Sequence, residues 1–105
     1  MNMESGLVGK IRMPYPPRGE MFALVKEFSG GSRLIAICED EKTRMVRITG
    51  RLKKKVWVRW GDLIIIKKWT VQENSKADLV YKYTKTQKDT LKFKGLLPDN
   101  MDVKL

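Results

Sequence analysis

From residue 20 onward, apolar and polar positions follow each other with a period of two, the signature of strands with one buried face. The alternation predicts strands over 20–28, 33–38 and 43–49. Ser29-Gly30-Gly31-Ser32 marks a hairpin between the first two, with glycine supplying the positive backbone angles of a tight turn. The acidic run Glu39-Asp40-Glu41 is read as a solvated turn before the third. In that third strand Val46 and Ile48 alternate with Met45 and Arg47, so one face is apolar and Arg47 points outward. Gly61-Asp62 then turns the chain into Leu63-Ile64-Ile65-Ile66, which is apolar on both faces, as in a central strand or a barrel wall. Residues 77–83 form a fifth strand, with Leu79, Tyr81 and Tyr83 expected on one side.

After the strands the period changes. Thr86-Gln87-Lys88-Asp89 fits a capping box and Gly95 a C-terminal cap, so a short helix is expected over 87–94 with Leu91 buried against the sheet. The chain therefore divides into an extended or disordered segment at 1–18, a barrel at 19–85, and a short helix with a tail at 86–105. The fold class is all-β with a short C-terminal helix: five short strands, interrupted once between the third and fourth, suggest a five-stranded OB-fold barrel. An SH3-like barrel is the structural alternative, and strand counting does not separate the two.

Composition narrows the chemistry. With 105 residues the chain holds one domain, and 42% hydrophobic residues are enough for a core without a disulfide or metal. There is no histidine, so the commonest general base and metal ligand is missing, and the single cysteine makes neither an intrachain disulfide nor a zinc site. No phosphate-binding glycine loop appears either. Enzymatic activity and a bound cofactor or metal are not expected, and Cys38 is read as a small core residue. Nor is there an apolar run long enough to span a membrane. A cytoplasmic monomer is expected.

Charge is what changes the picture. The net charge is +10, and residues 42–60 hold eight basic residues and no acidic one. Within this block ITGRLKKKVWVRWGD (48–62) sets Trp57 and Trp60 among Arg51, Lys53, Lys54, Lys55 and Arg59. Lysines suit phosphates as mobile point charges, and arginine and tryptophan suit unstacked bases through planar stacking. A polyanion surface with stacking capacity is therefore the expected partner. Alternation leaves Trp57 free to face either way, favours exposure of Trp60 just before the turn, and leaves Trp69 open.

The same run resembles the hallmark of translation initiation factor 1A, in which a glycine and a basic cluster lead into a Val-Trp-hydrophobic motif and then Gly-Asp. The resemblance continues through KADLVYKYT (76–84) and LKFKGLLP (91–98), and RMPYP (12–16) is similar to the archaeal branch. A weaker likeness to bacterial initiation factor 1 covers the glycine-basic-aromatic segment. The sequence departs from eukaryotic members in lacking a long basic N-terminal arm and a long acidic C-terminal tail. The resemblance implies a non-enzymatic factor that binds the small ribosomal subunit and its ribosomal RNA at the A site near the decoding centre. There it would promote correct placement of initiator tRNA and mRNA. It also implies other initiation factors as partners, including the GTPase that promotes subunit joining, for which Asp99, Asp102, Val103 and Leu105 form a remnant acidic-hydrophobic segment. By position, the family's RNA-contacting cluster falls on Arg51, Lys53, Lys54, Lys55 and Trp57. Arg33, Arg44, Arg47, Arg59 and Trp60 join it from charge and alternation. Two other functions stay open: a generic single-stranded RNA or DNA binder of cold-shock type, and a basic module that docks an acidic protein.

Overall fold

The alternation is realised as five strands. In the computed structural model, which describes residues 11–50, 58–69 and 75–101, these are β1 (Glu20–Gly30), β2 (Arg33–Cys38), β3 (Thr43–Arg47), β4 (Leu63–Lys68) and β5 (Lys76–Lys82). They close into a barrel in the order β1-β2-β3-β5-β4. β3 and β5 pair in parallel and every other pairing is antiparallel. Chain order is broken only between β3 and β4, which identifies the OB fold rather than the SH3-like alternative. A single helix, α1 (Lys85–Phe93), follows β5 among the described residues.

β1 is long because it serves two neighbours. Glu20 to Leu24 pair with β4, and Ala23 onward pairs with β2. The β2 register skips Lys26 and Ser29. Bulges of this kind bend a strand and raise its twist, which a small closed barrel needs. At the hairpin tip Gly30 and Gly31 have φ of +88° and +58°, a region that side chains rarely adopt.

Two apolar clusters lie on opposite sides of this wall. Inside the barrel Leu34, Val46, Ile64 and Ile66 pack with Ala23, Ala36, Ala77 and the buried Cys38. Small side chains are needed there because five strands enclose a narrow space that must be filled at crystal-like density. Outside, Phe22 and Leu24 from β1 and Leu63 and Ile65 from β4 pack under Tyr83, Leu91, Leu97 and Met101. β4 is thus apolar on both faces for a specific reason: one face fills the barrel and the other seats the C-terminal segment.

A bulge in β5 changes one expectation. Ile65 stands opposite Tyr81 and Ile66 opposite Leu79, so Val80 is the inserted residue. One inserted residue inverts the alternation beyond it. Leu79 therefore stays inside, whereas Tyr81 and Tyr83 pass to the outer cluster. There the Tyr83 ring meets Tyr81 edge-on at 5.1 Å, and its hydroxyl donates to the Arg12 carbonyl. Burial pushes the Tyr83 phenol above its ordinary value.

α1 starts two residues before the expected position because Thr84, not Thr86, is its cap. The Thr84 hydroxyl accepts from the Gln87 N–H at 3.1 Å, and Gln87 Oε1 accepts from the Thr84 N–H at 3.0 Å. Gln87 Oε1 also takes the Tyr81 hydroxyl at 3.0 Å, tying the helix to β5. At the other end Gly95 has φ +72°, and the Gly95 and Leu96 N–H groups donate to the Lys92 and Leu91 carbonyls. A nine-residue helix that buries only Leu91 depends on such caps, because short helices are marginal by themselves.

Arg44 departs furthest from expectation. It shares its side of β3 with Val46 and is 1% exposed. Its guanidinium donates to both oxygens of Asp40, Nη1 to Oδ1 at 2.9 Å and Nη2 to Oδ2 at 2.8 Å. Nη1 also lies 3.8 Å from Met21 Sδ. These bonds hold the Asp40 carboxyl below its ordinary value, while burial pushes the Cys38 thiol up. The acidic turn is therefore partly structural: Asp40 seals one end of the barrel over Arg44, and Glu39 Oε1 accepts from the Phe22 N–H at 2.9 Å.

Two outcomes follow from this packing. Asp40→Asn leaves the buried guanidinium without its counter-charge, at a cost of about 3 kcal/mol, the low end for a broken buried pair because Asp40 is partly exposed. The Asp40 carboxyl is depressed on folding, so its contribution is full above its unfolded value of about 3.9 and is lost as pH falls through the folded value. Urea midpoints of wild type and variant should differ at pH 7 and converge in acid. Ile66→Ala, which empties part of the barrel interior, should cost about 2–4 kcal/mol in the same assay.

Candidate nucleic-acid interface

The strand register gathers charge that the sequence keeps apart. Arg33 on β2 pairs with Arg47 on β3, Arg47 with Asp78 on β5, and Asp78 with Lys67 on β4. Directly paired residues share a face, and Arg47 points outward, so this rung lies on the outside of the barrel. Trp69 follows β4 at once and leans on the rung. Its indole Nε1 donates to Asp78 Oδ1 at 2.9 Å. Asp78 also receives Arg47 through Nε at 3.1 Å and Nη2 at 3.3 Å. The Arg47 guanidinium carbon is 5.0 Å and the Lys76 ammonium 5.5 Å from the centre of the Trp69 ring, both within cation–π range.

Trp69 stands between two shallow grooves. One is lined by Arg33, Met45, Arg47, Trp69 and Lys76, the other by Arg47, Lys67, Lys68, Trp69 and Asp78. Among the described residues, five cations thus share one carboxylate. Arg33 has no ion-pair partner among the described residues, and like charges directly opposite on a ladder destabilise a sheet. A bound polyanion would relieve that repulsion.

A second basic cluster lies at the far end of β5, about 20 Å of strand from Lys76. Here Trp60 is 60% exposed at the turn where Gly61 has φ +86°. Arg59, Lys82, Lys85 and Lys88 surround it, with Asp62 as the carboxylate. Asp62 Oδ2 accepts from the Arg59 N–H at 2.7 Å and lies 3.5 Å from Lys82 Nζ. Lys88 Nζ donates to the Gly61 carbonyl at 3.3 Å. The first turn of α1 contains no acidic residue, although a helix N-terminus favours negative charge. Lys85 and Lys88 stand there instead, so this end too is set up for an anion from outside.

Of the expected contact residues, Arg33, Arg47, Arg59 and Trp60 are all exposed, the first two in one cluster and the last two in the other. Arg51, Lys53, Lys54, Lys55 and Trp57 lie outside the described residues. Arg44 is corrected: buried and held by Asp40, it presents nothing to a partner. Trp69, Lys76, Lys82, Lys85 and Lys88 were not among the expected residues. The run Lys67-Lys68-Trp69 carries the same mixture of cation and aromatic as residues 48–62 and was the signal available for Trp69.

A closed five-stranded barrel in OB order, with indoles set among outward cations, puts the molecule in a class whose members commonly take oligonucleotides. A family model described as translation initiation factor 1A / IF-1 matches residues 10–105. Translation initiation factor 1A of Thermoplasma volcanium is 44% identical over 102 residues, covering 97% of this chain and 82% of that protein. That of Picrophilus torridus is 45% identical over 94 residues, covering 90% and 86%. The solution structure of translation initiation factor 1 from the wolbachia endosymbiont of Brugia malayi superposes at a TM-score of 0.49 with 14% identity, covering 69% and 85%. On the sequence matches alone, the chain belongs to the translation initiation factor 1A / IF-1 family, and its role is in translation initiation.

The two arginines of β3 provide a test of this surface. Arg47→Ala removes an exposed ion pair, which contributes at most about 1 kcal/mol, whereas Arg44→Ala breaks a buried one, at about 3 kcal/mol or more. Thermal melting should show a small shift for the first and a large one for the second, and only Arg47→Ala should weaken RNA binding in a protein that stays folded. The reverse pattern would mean that β3 is out of register by one residue.

Proposed function

We propose that the protein is a non-enzymatic initiation factor that binds the small ribosomal subunit at the A site near the decoding region, where it promotes correct placement of initiator tRNA and mRNA. The observation that carries this reading is the pair of basic clusters at the two ends of β5, each with an exposed tryptophan and one carboxylate among its cations. Folded ribosomal RNA offers the matching chemistry, with phosphates along grooves and a few unstacked bases. Family membership favours the small subunit over other RNA, and the family resemblance is what points to the decoding region.

The mechanism is occupancy. Cations draw the barrel to the RNA through counterion release, while the indoles fix its register by stacking. A barrel seated over the A site keeps tRNA out of it and acts on the initiator tRNA indirectly. Other initiation factors, including the subunit-joining GTPase, are the proposed protein partners. The segment assigned to that GTPase runs into residues 102–105, which lie outside the described residues.

Sedimentation of the pure protein with purified small subunits, with large subunits as the control, tests the proposal directly. Binding to small subunits alone is expected. Equal binding to both, or to any free oligonucleotide, would favour a generic single-strand binder instead. Joint replacement of Lys53, Lys54 and Lys55 by alanine should weaken subunit binding in a protein that still unfolds cooperatively. It should also reduce the slope of log affinity against log salt by roughly 2, at about 0.7 for each phosphate no longer neutralised. A triple variant that binds normally would remove these three lysines from the interface.

A further inference from the structure

We infer that the groove bounded by Trp69, Met45, Arg33 and Lys76 is a built site for one unpaired nucleobase and its phosphate. The inference rests on the proposed RNA-binding role and names the ligand of one part of that surface.

Trp69 is 40% exposed, although a strand end has no structural need for an exposed indole. The ring is nevertheless fixed: Asp78 Oδ1 accepts its Nε1–H at 2.9 Å, and the same carboxylate holds Arg47 by two bonds at 3.1 and 3.3 Å. One acidic side chain therefore orients both a flat apolar surface and the guanidinium beside it. A ring oriented before binding loses little conformational freedom when a base stacks on it. Met45 lines the groove next to Trp69 and supplies a second apolar, polarisable contact for the base.

The phosphate has its own partners. Arg33 and Lys76 line the same groove, and neither has a carboxylate partner among the described residues. Arg47, already bound to Asp78, is left to hold the wall rather than the ligand. The site therefore separates stacking, at Trp69 and Met45, from charge neutralisation, at Arg33 and Lys76. Among the described residues this groove presents no carboxylate or amide side chain, so the site would take an unstacked base by its face, whatever its identity, rather than read its edge.

The experiment uses the full chain and two substitutions, Trp69→Ala and Trp69→Phe, each checked by thermal melting. A single-stranded hexaribonucleotide carrying 2-aminopurine reports stacking by fluorescence quenching, and small-subunit sedimentation reports the complete interface. Trp69→Ala should weaken oligonucleotide binding by roughly five- to 150-fold, the range supplied by one base stacked on an aromatic ring. It should leave the salt slope unchanged, because every phosphate keeps its cation. Trp69→Phe, which keeps a ring but loses the bond to Asp78, should retain most of the affinity. Arg33→Ala should instead reduce the salt slope by about 0.7. Wild-type affinity in Trp69→Ala, or a salt slope lowered by it, would overturn the site while leaving subunit binding intact. Loss of subunit selectivity with Trp69-dependent quenching retained would overturn the ribosomal role and uphold the site.

Discussion

Closure of the barrel is the constraint from which the rest of the structure follows. β1 and β4 must meet to remove the sheet edges, and that pairing buries both faces of β4. Ile64 and Ile66 fill the inside, which leaves Leu63 and Ile65 exposed outside unless something covers them. α1 and the residues up to Met101 do so, held by the Thr84–Gln87 box, by Tyr83 and by the bond from Asn100 Nδ2 to the Glu39 carbonyl at 2.8 Å. One side of the barrel is thus covered because closure made it apolar. Among the described residues no such cover lies over the outer face of β2, β3 and the first residues of β5, and that is where Arg33, Arg47 and Lys76 stand. The asymmetry that positions the candidate interface is a consequence of how the apolar residues had to be hidden.

Most of this was legible in the alternation. Strand existence, the hairpin glycines, the doubly apolar stretch 63–66 and the buried Cys38 all follow from period and residue size. Two local features were not. Val80 looks like any strand residue, and only the pairing of Ile65 with Tyr81 and Ile66 with Leu79 shows that it is inserted. Arg44 set two signals against each other: its parity with Val46 pointed inward, its charge outward. Parity won because Asp40, four residues earlier across a tight turn, reaches back to neutralise the guanidinium. A count of cations cannot show that, since the deciding residue is a carboxylate in a segment that reads as solvated.

The candidate interface was half legible for a different reason. The block at 42–60 is contiguous, so its charge stands out in the chain. The cluster around Trp69 draws on residues 33, 45, 47, 67, 68, 69, 76 and 78, which no short window of sequence contains. They become neighbours only through the parallel pairing of β3 with β5, a non-local contact that periodicity does not announce. Trp69 itself was ambiguous because a tryptophan at a strand end serves equally well as a core plug. Its bond to Asp78 and its exposure are properties of the folded surface.

The carboxylates show how the surface is organised. Asp78 and Asp62 each sit inside a basic cluster, where a simple polyanion attractor would have no use for them. Each fixes an arginine, Asp78 by its guanidinium and Asp62 by its backbone N–H, and each leaves a tryptophan nearby exposed. The cost is one unit of favourable charge per cluster, weak at an exposed site where salt screens it. At Asp78 the gain is geometry: an arginine and an indole already oriented need not be ordered when a ligand arrives. Lys67, Lys68 and Lys85, on flexible stems, contribute field rather than shape. On the proposed role, the lysines would supply attraction over distance and the Trp69–Arg47 pair held by Asp78 would supply register, the division between positioning by charge and fixing by contact that a folded RNA demands.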